Sequence, residues 1–155
     1  MAHNNTGSAS LPLLLGSAGL VPFLGLAALV LLGSAAWQAF AIQAFLYYSA
    51  VILSFLGGVH WGVAMSLDEE GSPPFNARML VAMAPSLLAW PALMLTPQFS
   101  LLALMIGFVL IRLYEAQADS AERLPAWYTS LRTLLTVVVV ISHLSLLLLL
   151  LFVGR

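Results

Sequence analysis

The chain has 155 residues, of which 62% are hydrophobic and only 7% are charged, and its mean hydropathy is +1.04. Soluble domains carry about 25% charged residues because water covers most of their surface. The composition therefore argues against a soluble enzyme or a nucleic-acid-binding protein and indicates a membrane protein with the lipid bilayer as its environment. Because the chain contains no cysteine, disulfides, thiolate metal sites and covalent haem attachment are excluded.

Five apolar segments predict an all-α integral membrane bundle of five transmembrane helices, since about 20 apolar residues cross a hydrocarbon core of roughly 30 Å. A polar amino-terminal tail over residues 1–10 precedes a single transmembrane domain over residues 11–155. The predicted helices cover residues 11–32, 39–67, 79–95, 99–113 with an inner-side extension to about 123, and 131–153. The third and fourth are short and flanked or interrupted by proline, so they predict a Pro-kinked hairpin, with a re-entrant hairpin as the alternative.

The distribution of arginine predicts the orientation. With five crossings, four arginines lie on the face that holds the amino terminus, and one lies on the other face: Arg78, Arg112, Arg123 and Arg132 against Arg155. By the positive-inside rule the amino terminus is inside and the carboxyl terminus outside, as in a multi-pass protein of the bacterial inner membrane.

Small residues recur every fourth position along the second predicted helix, at Ala50, Ser54, Gly58 and Gly62. Helices in lipid associate by close packing, and a strip of this kind lets another backbone approach. We interpret it as a packing groove within the molecule, with a homodimer face as the alternative.

Several ionisable and amphipathic residues occur near the inner ends of the helices, and we expect them to converge on one polar pocket. The candidates are His60, Arg112, Glu115, Trp127 and Arg132. Burying such groups in a membrane costs free energy, so they are candidates for function. The structural alternatives are that His60 bonds a backbone carbonyl freed by a proline and that Arg132 extends to lipid phosphates.

His143 is predicted to lie near the midplane of the last helix, on one polar stripe with Arg132 and Thr136. No metal site is predicted. No cofactor is expected, and axial ligation of a haem by His60 and His143 is the less favoured alternative.

Three segments carry a resemblance to a known family. They are residues 52–62 with Gly57-Gly58-Val59-His60-Trp61-Gly62, residues 84–90, and residues 125–136 with Trp127-Tyr128 and Leu131-Arg132. They resemble the small bacterial inner-membrane proteins similar to transmembrane protein 69 of mitochondria, a domain-of-unknown-function family. The resemblance covers nearly the whole chain after about residue 11 and implies a multi-helix inner-membrane protein without assigning an activity; His143 lies outside its motifs.

No catalytic motif occurs in the sequence, so we expect a non-enzymatic accessory or assembly component that packs with other membrane helices or with a second copy of itself. The alternatives are a small transporter or proton-linked channel that uses the inner-leaflet pocket, and an enzyme acting on a lipid or quinone. No nucleic-acid partner is expected.

Overall fold

The computed structural model describes residues 10–117 and 124–152. All regular structure in these two ranges is helical, which confirms the all-α prediction. The helices, numbered here in chain order, are α1 (Ser10–Ala18), α2 (Leu20–Leu32), α3 (Ala35–Leu67), α4 (Pro73–Ala92), α5 (Pro97–Glu115) and α6 (Ala126–Phe152). The predicted tail before Ser10, together with Arg123 and Arg155, lies outside the described residues.

Four stretches of the described chain are long and apolar enough to cross a membrane: Leu11–Leu32, Ala35–Leu67, Pro97–Glu115 and Ala126–Phe152. The protein is therefore a multi-span helical membrane protein. Helix α4 is not among these four, although its 20 residues extend about 30 Å at helical rise. Asn76 and Arg78 in its first turns make its amino-terminal half more polar than the other spans.

The span predicted over 11–32 is present as Leu11–Leu32, and an interruption at Gly19 divides it into α1 and α2. Pro22 has no N–H to donate to the carbonyl of Ala18, and the chain turns at Gly19. The hydroxyl of Tyr48 on α3 donates to the carbonyl of Gly19 at 2.9 Å. A side chain of the neighbouring helix thus holds the junction.

Most helices begin earlier than the hydropathy pattern predicts. Helix α3 begins at Ala35 rather than about 39, α4 at Pro73 rather than 79, and α6 at Ala126 rather than 131. The reason is local: prolines and cap residues determine where a helix begins, whereas hydropathy marks only the part inside the lipid. At α4, for example, the Ser72 hydroxyl accepts a hydrogen bond from the Phe75 N–H at 3.3 Å.

Helix ends also differ from the prediction. Helix α4 ends at Ala92 rather than 95, with Pro85 and Pro91 inside it. Helix α5 ends at Glu115, and the extension predicted to about 123 falls mostly outside the described residues.

Helix α3 occupies the centre of the bundle and packs against α2, α4 and α5, while α6 packs against α5, α2 and α1. The core between them is apolar and rich in phenylalanine, with Phe23, Phe45, Phe108, Leu53 and Leu104 almost fully buried. Large apolar side chains also cover the outside of the bundle. Leu32 is 86% exposed and Leu80 is 75% exposed, as expected where lipid rather than water surrounds a protein.

Candidate functional site

Three of the predicted pocket residues meet in a buried ion cluster at one end of the bundle. The Nε of Arg132 donates to both carboxylate oxygens of Glu115, at 3.1 and 3.3 Å. The ring nitrogen Nε2 of His60 lies 3.4 Å from Oε1 of the same carboxylate. All three residues are at most 5% exposed, so we call them the His60–Glu115–Arg132 cluster.

Each member of this cluster comes from a different helix. His60 lies near the carboxyl end of α3, Glu115 is the last residue of α5, and Arg132 lies near the start of α6. Their contact shows that α3 and α5 end where α6 begins. A buried carboxylate needs compensating charge and hydrogen bonds, and here it has both. The expectation that His60 bonds a carbonyl freed by proline is wrong, because its partner is Glu115.

Arg112 and Trp127 do not contact the carboxylate. Arg112 donates from Nη2 to the Thr133 hydroxyl at 2.7 Å and from Nε at 3.2 Å, so it joins α5 to α6. Trp127 is 39% exposed and its ring packs edge-on against Tyr128, with centroids 5.9 Å apart. The structure therefore brings together three of the five pocket candidates and positions the other two beside them.

A cavity of about 320 Å³ adjoins the cluster, between α1, α2, α3 and α6. Its wall is mostly apolar and includes aromatic side chains, with a short polar section on α6. Phenylalanines from α2, α3 and α5 line it, and α6 contributes Trp127, Tyr128, Arg132, Leu135 and Thr136. This size is at the lower end of the range for small-molecule sites, which are mostly apolar with a few placed polar groups.

The polar section of the cavity wall consists of Tyr128, Arg132 and Thr136, which are spaced four residues apart and lie on one face of α6. The Tyr128 hydroxyl, Arg132 Nη2 and Thr136 Oγ1 are buried among other protein atoms and closed off from the cavity, and the Tyr128 hydroxyl lies close enough to Arg132 to interact with it. These three side chains therefore border the cavity mainly with their apolar parts, and the accessible wall of the cavity is mostly apolar.

Two members of the predicted small-residue strip do not pack inside the molecule. A Cβ added at Gly58 or Gly62 meets nothing within 4 Å among residues 10–117 and 124–152, and both residues are exposed. The expectation of an internal packing groove is therefore wrong at these two positions, although Ala50 is buried and Ser54 partly so. Because successive residues of a helix point about 100° apart, the rotation of α3 directs these glycines outward.

The neighbouring Gly57, which the sequence pattern did not single out, is the residue at which α3 and α4 approach most closely. A Cβ at Gly57 would overlap the backbone carbonyl of Ala82 and lie 3.3 Å from Cγ of Pro85. Here α3 and α4 touch backbone to backbone. The adjacent pair Gly57-Gly58 was the available signal, but the sequence does not show which of the two faces α4.

His143 lies in an aromatic cage rather than in the cluster. Its ring centroid is 4.7 Å from that of Phe45, 5.6 Å from Phe108 and 6.1 Å from Phe23. Its Nδ1 donates to the carbonyl of Val139 at 2.8 Å. His143 therefore belongs to the apolar core, and it lies farther along the same buried face of α6 as Arg132 and Thr136.

A second buried ion pair was also missed. The Nε of Arg78 on α4 donates to Oδ2 of Asp68, which follows α3, at 2.9 Å. Both side chains are at most 5% exposed. The two residues lie on either side of the Ser72-Pro73 turn. Opposite charges on both sides of so short a connection were the sequence feature that could have predicted this ion pair.

Within residues 10–117 and 124–152, no group of three or more histidine, aspartate or glutamate side chains is arranged to hold a metal ion. The chain also has no cysteine. His60 and His143, the two histidines considered as haem ligands, are bonded to Glu115 and to the Val139 carbonyl.

Comparison with known proteins agrees with the resemblance seen in the sequence. The model of a family described as "Protein of unknown function (DUF3429)" matches residues 8–148. The chain belongs to this family. Transmembrane protein 69 of Xenopus tropicalis is 34% identical to it over 130 residues, which cover 84% of this chain and 51% of the relative. The chain thus spans about half the length of that relative. No solved structure matches.

Proposed function

We propose that this DUF3429 protein is a non-enzymatic accessory component of the membrane that binds a small amphipathic molecule in the cavity beside α6. The observation that carries the proposal is the cavity of about 320 Å³, whose mostly apolar wall includes parts of Tyr128, Arg132 and Thr136. An amphipathic molecule fits such a wall, because its apolar part can fill the cavity while its polar part lies near the His60–Glu115–Arg132 cluster, as in small-molecule sites that are mostly apolar with a few polar groups.

The experiment fills the cavity and compares the small molecules that co-purify with the protein. Leu135 lines the cavity, so Leu135→Trp adds bulk inside it. The matched control is Leu134→Trp on the adjacent, 58% exposed position. We expect native mass spectrometry to detect a bound molecule on the wild type and on Leu134→Trp, and to lose it on Leu135→Trp. Equal occupancy of all three proteins, or none, contradicts the proposal.

A second candidate function, a proton-linked transporter, is favoured by the His60–Glu115–Arg132 cluster. Ionisable chains buried in membrane bundles mark proton paths, and Nδ1 of His60 has no hydrogen-bond partner among the residues described. Proton flux into proteoliposomes that Glu115→Gln abolishes while this variant is still folded in the membrane, and that His143→Gln leaves unchanged, supports this function. Absence of flux from the folded wild type rejects it.

We propose five crossings with the amino terminus inside a bacterial inner membrane. Supporting this, Arg78 pairs with Asp68 at the start of α4, whereas Ser100 of α5 donates to the carbonyl of Ala92 at the end of α4, at 2.8 Å. Helix α5 then returns to bring Glu115 beside His60. Both helices thus run between the two ends of the bundle.

Reporter fusions test this topology. Fusions after Ala35 and Leu95 are expected to report the outside, and fusions after Glu70 and Gln117 the inside. An inside signal at Leu95 supports the re-entrant alternative instead.

The partner we propose for the outward face of α3 is a second copy of this chain. Gly58 and Gly62 have the four-residue spacing at which membrane helices pair closely, and nothing within the described chain covers them. Because the chain lacks cysteine, Gly62→Cys introduces a single thiol. We expect it to form disulfide-linked dimers in native membranes, whereas Leu134→Cys on exposed α6 does not. Equal cross-linking of both variants, or none, rejects the homodimer.

A further inference from the structure

We propose that the outer surface between α5 and α6 binds an anionic phospholipid of the surrounding bilayer, with its phosphate at Arg112 and an acyl chain in a groove deeper in the membrane. No residue of this surface lines the cavity beside α6, so the inference does not depend on the function proposed above. Two independent observations carry it: a positive charge without an acidic partner, and an apolar groove in line with that charge.

Arg112 carries a positive charge that is not neutralised within the described chain. The other two arginines of residues 10–117 and 124–152, Arg78 and Arg132, each bond a carboxylate. Arg112 forms no ion pair with these residues and donates instead to the Thr133 hydroxyl, from Nη2 at 2.7 Å and from Nε at 3.2 Å. A hydroxyl is neutral, so it satisfies hydrogen bonds of the guanidinium but leaves its charge uncompensated.

The position of Arg112 along α5 matches the depth of lipid phosphates. Helix α5 has 19 residues and extends about 28 Å, close to the roughly 30 Å of the hydrocarbon core. Arg112 lies three residues before its end at Glu115, within one turn, and its hydrogen bond to Thr133 lies at the exposed surface. An arginine at such a helix end reaches the headgroup level, and its planar fork matches the oxygens of a phosphate.

Thr133 holds the guanidinium in place. Its hydroxyl donates to the carbonyl of Thr129 at 3.0 Å, so its lone pairs are available to accept from Arg112. The arginine side chain of α5 is thereby fixed to α6 at the protein surface. A side chain that is already ordered loses less entropy when it binds a phosphate.

An apolar groove of about 160 Å³ lies deeper on the same surface. It is lined by four residues of α5 and one of α6: Met105, Ile106, Val109, Leu110 and Val140. Met105 precedes Arg112 by seven residues. Val140 follows Thr133 by seven. Because α5 ends where α6 begins, both steps lead away from the helix ends, by about 10 Å, and seven residues nearly complete two turns. The groove therefore lies directly below the guanidinium in the membrane.

A phospholipid has the same arrangement of groups, with a phosphate at the interface and hydrocarbon chains below it. The groove is open to the lipid, since Ile106 is 45% exposed and Leu110 is 54% exposed, and its wall consists of apolar side chains that suit an acyl chain. An anionic head compensates the charge of Arg112. The ammonium group of a zwitterionic head is repelled by the same charge, so the surface favours anionic lipids.

The experiment measures by native mass spectrometry which phospholipid stays bound to the purified full chain. The protein is released from micelles that contain equal amounts of phosphatidylglycerol and phosphatidylcholine with the same acyl chains. We expect the wild type to retain phosphatidylglycerol about fivefold more than phosphatidylcholine, as one arginine near a membrane surface provides. Arg112→Gln is expected to lose this preference, whereas Arg112→Lys, which keeps the charge, is expected to keep most of it.

A second pair of variants tests the groove. Val140→Trp fills it and is expected to reduce retention of phosphatidylglycerol about fourfold, as the loss of one buried methylene contact does. The matched control is Ile141→Trp, because Ile141 is adjacent, is 58% exposed and does not line the groove. It is expected to retain the lipid as the wild type does, and so is Leu135→Trp, which fills the separate cavity. Thermal unfolding in phosphatidylcholine alone verifies that each variant is folded.

Four outcomes overturn the inference. The first is equal retention of both lipids by the wild type, or an unchanged preference in folded Arg112→Gln. The second is an equal effect of Val140→Trp and Ile141→Trp, which tests the surface even if Arg112→Gln does not fold. The third is displacement of the lipid by soluble glycerol phosphate, which has no acyl chain and would assign the site to a free phosphate. The fourth is a dimer that Val140→Trp dissociates, which would assign the surface to a second copy of the chain.

Discussion

Two adjacent glycines on α3 provide a test of how the helices pack. A Cβ at Gly57 would overlap the Ala82 carbonyl oxygen and lie 3.3 Å from Cγ of Pro85, whereas a Cβ at Gly58 meets nothing within 4 Å. The obstacle at Gly57 is backbone of α4, which cannot move aside as a flexible side chain does. Gly57→Ala therefore requires α3 and α4 to separate.

The magnitude follows from two opposing effects. Alanine is more favourable than glycine inside a helix by about 0.5–1 kcal/mol, and this gain applies equally to both positions. Overpacking of a close contact costs about 1–3 kcal/mol, and it applies to Gly57→Ala alone. The difference in free energy of unfolding between the two variants is therefore expected to be about 1–3 kcal/mol, with Gly58→Ala the more stable.

The assay is unfolding of each purified variant by SDS titration in mixed micelles, compared with the wild type. Gly62→Ala is a second control, because its added Cβ also meets nothing within 4 Å. Equal free energies of unfolding for Gly57→Ala and Gly58→Ala would refute the reasoning, since α3 would then not present Gly57 to α4.

Three further predictions concern buried polar side chains. Glu115→Gln leaves the charge of Arg132 unpaired and is expected to destabilise the protein by about 3–5 kcal/mol in the same unfolding assay; a loss below 1 kcal/mol would show that the carboxylate is not needed there. His143→Leu replaces a caged core side chain, so it is expected to keep normal membrane abundance and normal complementation of a deletion strain; normal abundance with lost complementation would indicate a functional histidine. Tyr48→Phe removes the hydrogen bond to the Gly19 carbonyl and is expected to lower the free energy of unfolding by about 0.5–1.5 kcal/mol. It is also expected to increase hydrogen exchange near the α1–α2 junction, and unchanged exchange would show that Tyr48 does not stabilise that junction.

The sequence by itself determined the membrane environment and the helical class, because both follow from local properties. A run of apolar residues long enough to cross lipid, as in α3 and α6, must satisfy its backbone hydrogen bonds internally and is therefore helical. Hydropathy also located four of the spans. Hydropathy did not predict the helix ends correctly. A cap residue such as Ser72 lies outside the apolar run, and an interruption such as that at Gly19 lies within it, so neither changes the hydropathy pattern.

Charge and burial cost also predicted that His60, Glu115 and Arg132 lie near one another, since ionisable groups in lipid need partners. Only the tertiary structure decided which partners they take. Glu115 is three residues from Arg112 on its own helix, yet it pairs with Arg132 of α6, and Arg112 bonds Thr133.

Tertiary structure alone decided the rotation of each helix about its axis. Gly57 and Gly58 are equivalent in the sequence, but successive residues point about 100° apart, so one faces α4 and the other faces outward. The same rotation encloses His143 among phenylalanines and aligns Tyr128, Arg132 and Thr136 along the cavity. Local periodicity cannot predict this, because several faces of an almost wholly apolar helix are equally suitable for burial, and the contacts between helices select among them.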